Sequence, residues 1–91
     1  MRKLALISLT AFMLSAAATA EAGSLGHPCT TAPQTQWLSL EALQTKVQAH
    51  GYKVQKAKLK NACGEIYALD KTGARVELFV DPTSGEIVGQ L

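Results

Sequence analysis

The sequence predicts an α+β domain: one N-terminal helix packed on a small antiparallel β-sheet of three strands, with an irregular N-terminal arm tied to it by a disulfide. Three observations carry that expectation. Leu40, Leu43 and Val47 form a helical stripe between a capping Ser39 and a stopping Gly51. Two runs rich in β-branched and aromatic residues, 65–69 and 75–80, flank the turn sequence Asp70-Lys71-Thr72-Gly73. Cys29 and Cys63 stand in a chain whose single core is near the lower limit of self-sufficiency.

The chain opens with Met1-Arg2-Lys3, an apolar run from Leu4 to Leu14, and small residues from Ser15 to Ala22. This order predicts a secretory signal peptide over residues 1–20, with cleavage after Ala20 or after Ala22. The apolar run is shorter than the roughly 20 residues a spanning helix needs. No stable membrane insertion is therefore expected once the signal is removed. The predicted organisation is signal peptide 1–20, irregular arm 21–37 and a single domain 38–91, destined for a periplasmic or secreted location. Nine Lys/Arg against seven Asp/Glu give the full chain a charge of +2. Arg2 and Lys3 leave with the signal, so cleavage after Ala20 makes the remaining chain neutral. The basic balance thus implies no nucleic-acid partner. In an oxidising compartment an even pair of cysteines reads first as one disulfide, Cys29 to Cys63.

Gly23, Gly26, Pro28 and Pro33 deny the arm any regular period. Ser39 then caps the helix, with Glu41 at its positive end and Leu38 placed to pack on Leu43. The helix runs to about His50, and Gly51 supplies the left-handed stop. In the first strand, 52–59, Tyr52 and Val54 share one parity while Ala57 and Leu59 share the other. A bulge near Gln55-Lys56 reconciles them. Lys53, Lys56, Lys58 and Lys60 protect an edge strand from self-pairing. Residues 61–64 turn into the second strand, 65–69. With Gly73 as the left-handed bulge residue, Ala68 falls opposite Val76 and Ile66 opposite Leu78, and Val80 joins them toward the helix. Tyr67, Leu69 and Phe79 then occupy the other face; a plain two-residue loop would reverse the assignment. One helix leaves that face uncovered, so either Trp37 and the Cys29 arm lie across it or it is a contact surface. Asp81-Pro82-Thr83-Ser84-Gly85 makes a further turn, after which residues 86–88 form a short extended segment.

The helix ending in Gly51-Tyr52, the strand 65–69 with its Asp70-Lys71-Thr72-Gly73 turn, and above all Val80-Asp81-Pro82-Thr83-Ser84-Gly85-Glu86-Ile87 resemble the PepSY domain family. The similarity spans Leu38 to Val88 and is strongest to small exported proteins made of one such domain. It implies a helix on a small antiparallel sheet. It also implies a place among envelope and secreted proteins, including peptidase propeptides, and hence a role in restraining a peptidase. It supplies no catalytic residues. The Cys29/Cys63 pair and its arm depart from the family's pattern.

No nucleophile, acid and base converge in the sequence, so no enzymatic activity and no cofactor are expected. Two functions stand. The first is a non-catalytic binding or regulatory module, monomeric or weakly dimeric, with a protein partner met by Tyr67, Leu69, Phe79 and Trp37. The alternative is a small metal- or redox-linked accessory protein using His27, Cys29, His50 and Cys63 as soft nitrogen and sulfur ligands. An intact disulfide would remove the two best of those ligands. Asp81 and Glu86 are too few for calcium.

Overall fold

Helix α1, Leu40–Ala49, begins where the sequence places it: the Ser39 hydroxyl accepts the Ala42 amide at 3.0 Å. It ends on His50, and Gly51 follows in the left-handed region at φ 96°. Leu43 and Val47 are its buried residues, and half-buried Leu38, Leu40 and Tyr52 pack around them. The computed structural model describes residues 24–91. The expected signal peptide lies outside the described residues.

The sheet has four strands, not three: β1 Lys53–Lys60, β2 Cys63–Leu69, β3 Arg75–Val80 and β4 Ile87–Gln90, all antiparallel and in that spatial order. The added strand is the short extended segment after the second turn. Asp81 closes that turn through its carbonyl, which accepts the Gly85 amide at 2.7 Å, and Gly85 adopts φ 82°. The chain is thereby sent back along β3, pairing Val80 with Ile87 and Phe79 with Gly89. The β1–β2 connection is also tighter than residues 61–64. Only Asn61 and Ala62 lie outside the strands, both at positive φ (54° and 60°), the mirror-image turn whose twist matches a hairpin. Cys63 and Gly64 therefore belong to β2.

The β2–β3 register agrees with the sequence: Ala68 opposes Val76 and Ile66 opposes Leu78, with Gly73 at φ 88°. In β1 the register shifts between Val54 and Lys56, so the bulge falls at Gln55. It lets Val54 and Ala57 both pack on the core.

That core is one layer between α1 and the sheet: Leu43 and Val47 above, Ile66, Ala68, Leu78 and Val80 below. Burying each large aliphatic side chain contributes about 1.5–3 kcal/mol. Gly64 sets how closely the layers meet. A Cβ there would lie 2.5 Å from Val80 Cγ2 and 3.2 Å from Leu43 Cδ1, so the missing side chain is the notch into which α1 settles.

The arm covers part of the face opposite α1. Leu25 packs over Gly89 of β4, where a Cβ would come within 2.5 Å of its Cδ1. Four residues on, Cys29 is bonded to Cys63 of β2 with an S–S distance of 2.08 Å. Two strand spacings are about 9.5 Å, so the segment between these anchors crosses the sheet. The chain then makes a 3₁₀ turn, Gln34–Gln36, and returns toward α1 with the Leu38 amide donating to the Pro82 carbonyl at 2.8 Å.

Candidate functional site

Residues directly opposite one another in a sheet share a face, so the registers define what lies opposite α1. From β2 come Cys63, Glu65, Tyr67 and Leu69; from β3 come Arg75, Glu77 and Phe79; from β4 comes Gly89. The face has two parts. At the Cys63 end the arm crosses it, and Phe79, between Glu65 and Gly89, is 1% exposed. At the other end Tyr67 and Leu69 are half-buried and Arg75 is exposed.

Of the residues expected on a contact face, the structure therefore keeps Tyr67 and Leu69 accessible and side by side. Phe79 is enclosed, which removes it from direct contact with any partner while the arm is in place. Trp37 is half-buried in the arm, its indole N–H donating to the Ala32 carbonyl at 3.1 Å.

Two acids on this face are buried, which the sequence did not signal: Glu65 at 2% and Glu77 at 8% exposure. Glu65 Oε1 has no hydrogen-bond partner and lies 4.0 Å from the Lys58 ammonium, which also stands 6.0 Å from the centre of the Tyr67 ring. The Glu77 carboxylate lies close enough to the Tyr67 phenol to act on it electrostatically. Desolvation raises the Tyr67 phenol above its ordinary value, and the nearby charges of Glu77 and Glu65 push the same way. A raised folded-state value means the neutral phenol stabilises the fold fully below the unfolded value near 10, and that contribution is lost as pH rises through the folded value. Ultraviolet titration of the phenolates should thus show one tyrosine ionising late, with stability falling over the same alkaline range. Replacement Tyr67→Phe should abolish the late transition; its persistence would assign it to Tyr52.

The metal set is not assembled. Cys29 and Cys63 are consumed by their disulfide. His27 lies beside Cys63, with its carbonyl oxygen 3.9 Å from the sulfur, while His50 lines a shallow depression with Asp70 and Thr72 at the far end of β2. Seven residues of strand hold the two histidines about 20 Å apart. Among the described residues no group of three or more His, Cys, Asp or Glu could hold a metal ion.

The turn aspartates have structural duties. Asp70 Oδ1 accepts the Thr72 hydroxyl at 2.6 Å and the Thr72 and Ala74 amides at 2.8 and 3.0 Å. These bonds, the Thr72 hydroxyl's first, hold its carboxyl below the ordinary value. Asp81 Oδ1 likewise accepts the Thr83 amide and hydroxyl at 2.8 and 2.7 Å. The two turns are the same Asx device used twice.

A family model described as peptidase propeptide and YPEB domain matches residues 5–90, nearly the whole chain. The chain belongs to this family, PepSY. No curated protein and no solved structure matches it. For a PepSY chain, the four-stranded sheet with one helix is the scaffold, and the Cys29–Cys63 bond fits an oxidising compartment. Among the described residues, no helix is long and apolar enough to cross a membrane.

Proposed function

We propose that this protein is an exported, non-catalytic regulatory module that binds a protein partner, an envelope protein or a peptidase, through the open part of the sheet face opposite α1. The family match over residues 5–90 carries the reading, because it is to a domain described from peptidase propeptides. Tyr67 and Leu69 supply the contact surface: adjacent along one face of β2 and half-buried, they offer apolar area with a phenol at its border. The disulfide-held arm sets the limit of that surface at Phe79.

The test is the rate at which exported peptidases of the source cell cleave casein, with and without the purified chain, disulfide intact. Addition should slow at least one peptidase severalfold. A Tyr67→Ala/Leu69→Ser variant of unchanged urea midpoint should lose most of that effect. No change in any peptidase rate would remove the peptidase reading, and full potency of the variant would move the contact off this face.

A further inference from the structure

The four lysines of β1 do not alternate between faces. Lys53 pairs with Leu69, Lys56 with Tyr67, Lys58 with Glu65 and Lys60 with Cys63, and all four partners stand on the face opposite α1. Strict alternation from Lys53 would have sent Lys56, Lys58 and Lys60 toward the core. The extra residue at Gln55 changes the phase, so the bulge that lets Ala57 pack inward also gathers every lysine of the strand into one row. Within the row, alternate residues stand roughly 6.6–6.8 Å apart.

Lys58 is engaged by Glu65, whereas Lys53, Lys56 and Lys60 are exposed and have no ion-pair partner among the described residues. The acids of the same face, Glu65 and Glu77, are buried. A partner approaching there meets positive charge. Among the described residues β1 is also an edge strand, paired with β2 alone, so alternate residues direct their backbone N–H and C=O groups away from the sheet. The other edge, β4 (Ile87-Val88-Gly89-Gln90), carries no charge, so the lysines mark one edge rather than edges in general.

We infer that β1 is a docking edge for an extended, acidic segment of a partner protein, which adds as a fifth strand with alternate Asp or Glu side chains beside Lys53, Lys56 and Lys60. A strand pairing with β1 repeats at the same two-residue spacing, so carboxylates at every second position fall on the lysine face together. A flat anionic surface such as a membrane would neutralise the lysines but leave the edge backbone groups without partners. Protection of the edge from self-pairing needs charge but not a single-faced row. The inference rests on the reading of this chain as a protein-binding module and names the chemistry of the partner.

The test uses the exported chain, disulfide intact, and a seven-residue peptide alternating threonine and glutamate, followed by amide chemical shifts and titration. The largest shifts should fall on residues 53–60. A Lys53→Gln/Lys56→Gln/Lys60→Gln variant of unchanged fold should bind at least tenfold more weakly. A peptide N-methylated on the hydrogen-bonding edge, and one with the same composition but contiguous glutamates, should each lose most of the affinity. Equal binding of the alternating and contiguous peptides, indifference to N-methylation, or binding to phosphatidylglycerol vesicles without binding to the peptide would each overturn the proposal. Because the peptidase assay needs no added peptide, failure here leaves that result standing, and the two can be told apart.

Discussion

Replacing both Cys29 and Cys63 with serine is expected to lower the unfolding free energy by about 4 kcal/mol, the loop-entropy value for a cross-link of this span. The bond joins positions 34 apart in sequence, and no other covalent tie holds the unfolded ensemble together. Its position makes the loss structural as well as entropic. Cys63 is 2% exposed on β2, and Cys29 belongs to an arm with no strand of its own, fixed elsewhere by Leu25 on Gly89 and the Leu38–Pro82 hydrogen bond. Without the bond, the crossing between Leu25 and Cys29 should fray first and uncover Phe79. Two measurements separate the effects. Urea unfolding should show a midpoint lower by a few molar, given a slope of about 1 kcal/mol/M for so small a domain. Hydrogen exchange should show protection lost at Gly89 and residues 25–30 while α1 and β2–β3 stay protected. A stability change below about 1 kcal/mol would mean that the arm and the core unfold independently.

What was legible in the sequence follows how local each feature's cause is. The cap at Ser39, the stop at Gly51 and the Gly73 bulge each depend on a few adjacent residues, and the structure agrees with all three. The β2–β3 register followed, because Gly73 fixes the loop and the loop fixes the pairing. β4 was missed as a strand because its evidence is non-local: it pairs with Leu78, Phe79 and Val80 of β3, and Gly89 interrupts its apolar pattern. The two-residue β1–β2 turn was missed because Ala62 at φ 60° has no local cue.

The candidate site was less legible, for a physical reason of its own. Tyr67 and Leu69 fall on the predicted face, but the buried state of Phe79, Glu65 and Glu77 depends on neighbours from other strands and on an arm whose path is set by a disulfide. A carboxylate in a strand reads as a solvent-facing residue until something covers it. The lysine row was hidden differently. Each lysine was visible, and so was a bulge near Gln55, but the common face appears only when the bulge is placed to the residue and each partner is named.

Substituting Leu43→Ala is expected to cost about 2–5 kcal/mol, and the upper part of that range applies. Leu43 is fully buried, and it is the helix residue that reaches the Gly64 notch, where its Cδ1 would stand 3.2 Å from an added Cβ. The surroundings have little freedom to collapse into the space left behind. Below it lies a sheet whose register is pinned by two hairpins, and α1 is tethered at one end by Leu38 on Pro82. A cavity that cannot relax keeps its full surface and loses its dispersion contacts. For a domain of this size, total stability near the lower end of about 5–15 kcal/mol means the variant would be partly unfolded at growth temperature. With the disulfide intact the unfolded chain remains cross-linked, so urea unfolding of this variant should shift in midpoint with little change in slope. A loss under about 1 kcal/mol would show that α1 moves to refill the site, and the close approach at Gly64 would then be a loose fit rather than a fixed one. Adding Val80→Ala distinguishes those cases: across a rigid notch the two losses should be non-additive, because both side chains border the same space beside Gly64.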